Sequence, residues 1–139
     1  MNSLFRVSER HHSGLILMTE LASAYSDPTS FLSLSEIADR MHISSGYLEE
    51  IALRLRGADL IEGRKGPGGG YRLKRAPNEI TAEEIICAVE GPLALVDCHS
   101  NGCPVEGACQ SKALWNFLYA SLRKTLQDTT LSSIIKNTL

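Results

Sequence analysis

A chain of 139 residues, 43% apolar and 22% charged, is sized for a folded domain with a modest core. Its formal charge of −2 excludes a polycation, so any contact with nucleic acid must rest on a local basic patch. No run is apolar for long enough to span a bilayer, and the first residues lack the basic-then-apolar pattern of an export signal, so no membrane is expected and the cytoplasm is the expected compartment.

Residues 8–25 read as a first helix. Leu15, Ile16, Leu17, Met18, Leu21, Ala22 and Tyr25 supply a wide apolar face, Ser8 can cap its start, and Asp27-Pro28 ends it. A short second helix is predicted over 33–41; Ser33 or Ser35 can cap it, and Ser33-x-x-Glu36 has capping-box spacing. After a tight connection at His42 and Ile43, a third helix runs over 45–59 with Ser44 as its cap. Leu48, Ile51, Ala52 and Leu55 face inward, and Tyr47, Glu49, Glu50, Arg54 and Arg56 outward. Two short helices joined this way describe a helix-turn-helix.

Residues 60–65 and 71–75 read as two strands, joined by Gly66-Pro67-Gly68-Gly69-Gly70, whose glycines permit a very tight turn. This hairpin holds the basic patch: Arg64, Lys65, Arg72, Lys74 and Arg75. A basic hairpin beside a helix-turn-helix is a wing. No Gly-Lys-Ser/Thr follows the glycines, and they precede a strand, which argues against a nucleotide-binding loop.

A fourth helix is predicted over 81–90, with Thr81 and Glu84 as a capping box and Gly91-Pro92 as its stop. Residues 98–109 form a loop, and a last helix starts near Ser111. Its stripe of Ala113, Leu114, Phe117, Leu118, Leu122 and Leu126 is too apolar for a lone terminal helix in water and is expected to pair two copies. The expected fold is mostly α with a small β-hairpin: a winged helix-turn-helix DNA-binding domain over 1–80, whose first helix also packs on the dimer partner, then the cysteine loop and dimerisation helix over 81–139.

A recognition helix presents its N-terminal residues to base edges, here Ser44, Ser45, Tyr47 and Glu49. Hydroxyls can bond phosphates or bases, and a carboxylate can accept from a cytosine amino group. At the wing, Arg64 and Lys65 suit the negative potential of the DNA backbone or a minor groove, and Arg72 joins the same candidate set. The expected partner is a double-stranded DNA operator. No Ser/His/Asp set, paired catalytic carboxylates or Cys-x-x-Cys points to an enzyme.

Cys98-x4-Cys103-x5-Cys109 places three thiols in a loop containing glycine and proline. In a reducing compartment such thiols are metal ligands or redox groups rather than structural disulfides, and thiolates suit an iron–sulfur cluster, zinc or copper(I). A cluster usually takes four protein ligands, so one is missing. His11, His12, His99 and Cys87 are the candidates. Cys87, within Ile85-Ile86-Cys87-Ala88, reads better as a small buried hydrophobe.

Taken together, these segments resemble the winged-helix iron–sulfur transcription regulators of the Rrf-two type, the family of the IscR, SUF-system and NsrR regulators. The resemblance covers nearly the whole chain. It rests on Leu34-Ser35-Glu36-Ile37-Ala38, Gly46-Tyr47-Leu48-Glu49, the run Arg64-Lys65-Gly66-Pro67-Gly68-Gly69-Gly70-Tyr71-Arg72-Leu73, Glu90-Gly91-Pro92, and the cysteine loop followed by Ala113-Leu114-Trp115.

The resemblance implies a homodimer crossing over through the last helix, a cluster on Cys98, Cys103 and Cys109, and DNA contacts at Tyr47, Glu49 and Lys65. The histidine ligand of the IscR pattern would fall on Lys112, which cannot serve while protonated. In the nitric-oxide-sensing branch a helix-1 side chain of the other subunit completes the site. Aligning helix 1 through Leu21-Ala22 puts that position on His12, giving His12 in trans as fourth ligand and His11 in reserve. A histidine ligand favours [2Fe–2S] over [4Fe–4S]. The competing expectation is a winged-helix regulator controlled by a protein partner, or by zinc or thiol redox, without a cluster.

Overall fold

The computed structural model describes residues 7–27, 29–95, 104–105 and 107–139. Helix α1 spans Glu9–Ser23, and Ser8 caps it by accepting from the His11 N–H. It ends two residues earlier than the apolar pattern suggests, leaving Tyr25 in a turn and exposed. Helix α2, Leu34–Met41, begins after Ser33, but the Ser33 side chain makes no capping bond, so the expected capping box is not formed.

The turn into the next helix is set by His42, in the left-handed region at φ 55°. That conformation lets the Ile43 N–H reach the Ala38 carbonyl at 2.9 Å, closing the end of α2. Helix α3, Ser45–Gly57, follows at once, with the Ser44 hydroxyl accepting from the Tyr47 N–H. The helix stops at Gly57, and Asp59, at φ 59°, turns the chain into the hairpin.

Strand β1, Ile61–Arg64, pairs antiparallel with β2, Gly70–Leu73, in the register Ile61 to Leu73 and Arg64 to Gly70. A third chain segment joins them: Leu32, ahead of α2, exchanges two 2.9 Å backbone bonds with Tyr71. The approach is so close at Gly70 (φ 136°) that a Cβ there would lie 2.0 Å from the Leu32 carbonyl oxygen. Glycine is required at that position by both space and conformation.

After a 3-10 turn at Pro77–Glu79, α4 spans Ala82–Glu90, with the predicted Thr81/Glu84 capping box in place. Helix α5, Lys112–Asp128, is followed by α6, Leu131–Ile135, a short helix the sequence pattern did not reveal.

The core joins Leu17 and Met18 of α1, Ile37 of α2, Leu48, Ile51 and Leu55 of α3, the wing base at Leu60 and Ile61, Ile85 and Val89 of α4, and Leu131 of α6. Each large apolar side chain so buried stabilises the fold by about 1.5–3 kcal/mol. Helices α1 and α4 cross in contact because Gly14 stands between them; a Cβ there would meet Val89 Cγ1 at 2.8 Å. α6 returns to this core through backbone bonds from Leu131 N–H to Ile80 and from Ala82 N–H to Thr129, both 2.8 Å. The architecture is six helices and a two-stranded hairpin among the described residues: a winged helix-turn-helix (α2, α3 and the hairpin) braced by α1, α4 and α6, with α5 alongside. No described helix is long and apolar enough to cross a membrane.

Candidate nucleic-acid interface and metal centre

The start of α3 presents the predicted polar set. Ser44, Ser45 and Glu49 are exposed. Tyr47 was expected wholly outside; it is half-buried and rests against the core, leaving part of its ring in solvent. The unpaired N–H groups of the first turn and the helix dipole favour an anion there, as a DNA phosphate would supply.

The wing cations divide into two kinds. Arg64 and Lys65, at the end of β1 and the start of the turn, are exposed. Arg72 on β2 is held: its Nε donates to Glu62 Oε1 at 2.6 Å, and its guanidinium lies 4.5 Å from the centre of the Phe31 ring. The Arg64 guanidinium stands 5.9 Å from the same ring. Phe31 therefore lies within cation–π range of both guanidinium groups. Nothing in the periodicity around residue 31 marks it, because it lies in the linker ahead of α2.

The wing also touches the recognition helix directly. The Tyr71 hydroxyl donates to Glu49 Oε1 at 3.3 Å. Burial first, then the Glu49 carboxylate, push the Tyr71 phenol above its ordinary value, so it stays a donor.

Of the proposed cluster ligands, Cys98 and Cys103 lie outside the described residues, as does His99. Cys109 is half-buried just ahead of α5, its Sγ 3.2 Å from Ser111 Oγ. The Ser111 side chain and backbone, with Lys112 beyond, hold this thiol below its usual range, which favours the ligating thiolate. Among the described residues alone, no three His, Cys, Asp or Glu side chains form a metal-binding group.

The paired histidines have different surroundings. His11 is 5% exposed, with Nδ1 3.1 Å from Ser8 Oγ and Nε2 3.3 Å from the Gly91 carbonyl oxygen. Because a carbonyl can only accept, Nε2 carries a proton. His11 thus ties the start of α1 to the end of α4, where Ser8 also bonds Glu90. Both of its nitrogens are engaged, which does not fit a reserve metal ligand. His12, one residue on, is exposed and borders a groove with Ser44 and Tyr47 of the reading head.

Cys87 corrects another expectation. It is exposed on the side of α4 that meets α5, near Leu122 and Leu126, and not a buried core residue. Partial desolvation and the Glu83 carboxylate push its thiol up, the reverse of Cys109. Beside it, Arg123 Nε donates to Glu83 Oε1 at 2.8 Å and pins α5 to α4. α5 buries none of its own residues; Leu114 is 54% and Phe117 68% exposed.

Comparison with known proteins agrees with this architecture. The family model for Rrf2, described as an iron-dependent transcriptional regulator, matches residues 7–137. The HTH-type transcriptional regulator IscR of Cereibacter sphaeroides is 35% identical over 138 residues, covering 95% of this chain and 88% of that protein. Among solved structures, CymR, the global cysteine regulator of B. subtilis, superposes with a TM-score of 0.78 at 31% identity, covering 97% of this chain and 99% of that one. IscR of T. potens gives a TM-score of 0.76 at 30% identity, covering 97% and 89%. A winged reading head, a matching family model along almost the full chain and regulators as relatives lead to one conclusion: the chain belongs to the Rrf2 family and is a DNA-binding transcription regulator, not an enzyme.

Proposed function

We propose that this regulator senses iron–sulfur, redox or nitric-oxide status through a cluster held by Cys98, Cys103 and Cys109, with His12 of the partner subunit as fourth ligand. The observation that carries the reading is the spacing Cys98-x4-Cys103-x5-Cys109, three thiols whose last member stands just ahead of α5. The donor set fits the group, since three soft thiolates and a neutral imidazole are ligands that iron–sulfur centres accept. Exposure leaves the His12 ring available, whereas His11 is committed elsewhere. The IscR relatives support the same reading. One histidine in the set favours [2Fe–2S].

When bound, such a cluster supplies a charge and ligand field that respond to oxidation and to small ligands. This chain's residues do the rest. Copies pair through the α5 stripe, so a ligand from α1 of one subunit makes the metal site part of the interface. His12 shares a groove with Ser44 and Tyr47, so a change in its position bears on the start of the recognition helix. Two reading heads moved relative to each other fit different half-site spacings. Arg64 and Lys65 hold the backbone, and Ser44, Ser45, Tyr47 and Glu49 face the bases. Arg72, paired with Glu62, keeps the wing in shape. The protein works in the cytoplasm as a homodimer.

A second reading has one observation in its favour: the likeness to CymR along the whole chain. On that reading a protein partner or thiol state, not a cluster, sets DNA affinity. Oxygen-free purification separates the two. A brown protein carrying iron and sulfide, whose colour is lost in Cys98→Ala, Cys103→Ala and Cys109→Ala, is expected. Colourless protein without iron or sulfide contradicts the cluster and favours the second reading.

A further inference from the structure

Besides the shared core at the wing base, a hydrogen bond from the Tyr71 side chain joins the wing to the recognition helix, and its placement is built from three directions. Tyr71 is 8% exposed, and its N–H and C=O are both fixed by Leu32. Across the hairpin it faces Gly63. A Cβ at Gly63 would lie 3.0 Å from ring atom Cε1 and 3.4 Å from Cδ1, so the ring lies across position 63, where a hydrogen leaves it room. Backbone and ring thus fixed, the hydroxyl comes out against α3 and donates to Glu49 Oε1.

Glu49 is exposed on the outer side of α3, and an unrestrained glutamate there would sample many rotamers. A carboxylate held at one place accepts from the amino group of cytosine or adenine and repels the acceptors of guanine and thymine. A carboxylate free to swing aside tolerates all four.

We propose that Tyr71 is a positioning residue for base selection: its hydroxyl holds the Glu49 carboxylate against the major-groove edge, so the wing sharpens what the recognition helix reads. This rests on Glu49 facing the bases, as read above. Tyr71 itself need touch no base.

The test uses full-length protein and a randomised double-stranded DNA library, sequencing the duplexes retained by wild type, Tyr71→Phe, Glu49→Ala and the double variant. Duplexes differing at single positions are then titrated. Wild type should show a base preference that Glu49→Ala flattens. Tyr71→Phe, which removes one oxygen and keeps the ring, should weaken that preference about threefold to tenfold and leave affinity for unrelated DNA unchanged. In the Glu49→Ala background it should add nothing. If Glu49→Ala flattens the preference and Tyr71→Phe does not weaken it, Tyr71 has no positioning role and Glu49 still reads bases. If Tyr71→Phe has the same effect with and without Glu49, it acts through wing placement and the proposal is wrong. If Glu49→Ala leaves the preference intact, the reading of Glu49 fails and the proposal with it.

Discussion

Helices α1 and α5 are the two longest described, with 15 and 17 residues, and both carry apolar stripes, yet they use them in opposite ways. α1 buries seven residues between α3, α4 and α6. α5 buries none, keeps Leu114 and Phe117 in solvent, and is held to α4 by the Arg123–Glu83 pair and a shallow apolar seam. A sequence stripe therefore says that a face will be covered, not by what. For α1 the cover is the chain's own core; for α5 we assign it to a second copy.

The largest effect that sharpens this contrast comes from truncating one apolar side chain on each side of it. Leu131→Ala removes a fully buried side chain packed with α1 and should cost about 2–5 kcal/mol in denaturant unfolding. Phe117→Ala should leave the circular dichroism of the fold intact and weaken self-association about tenfold or more in sedimentation. Loss of the fold in Phe117→Ala, or self-association equal to wild type, would break the contrast.

A smaller effect separates the two neighbouring histidines. His11→Ala leaves the Gly91 carbonyl without its imidazole partner and should cost about 1–3 kcal/mol of stability. His12→Ala, at an exposed position, should change stability by less than about 0.5 kcal/mol but alter the visible spectrum or retention of the cluster. An unaltered spectrum and cluster lifetime would remove His12 from the ligand set.

Smallest is the difference between the two wing arginines. Arg64→Ala should weaken all DNA sequences alike and lower the slope of log affinity against log salt by about 1. Arg72→Ala, which breaks the Glu62 pair, should leave that slope nearer the wild-type value and loosen the wing, read as faster amide exchange in β1 and β2. Equal slope changes for both would show that Arg72 also reaches phosphate.

Much of this was legible in the residues. Helical periodicity marked α1, α3 and α4, and Ser8, Ser44 and Thr81 cap where the pattern places them. The glycine run marked the wing, and the serine-tyrosine start of α3 marked the reading head. What escaped did so for physical reasons. α6 is five residues long, too short for a periodic signal, and its capping box uses Ser133 in place of an acid or amide. Cys87 follows two apolar residues, so hydropathy points inward, while helical rotation carries it to the α5 side. The Glu49–Tyr71 and Phe31–Arg72 contacts join residues far apart in the chain, which only the fold brings together.

If the state of a cluster reaches the DNA-reading heads, as proposed, removing the cluster must change how tightly they hold an operator. The measurement is operator affinity at fixed salt, by fluorescence anisotropy without oxygen, on one preparation before and after its iron and sulfide are stripped. A change of about tenfold or more is expected at a cluster-sensitive operator. Identical affinities from protein shown to have lost its metal would contradict it.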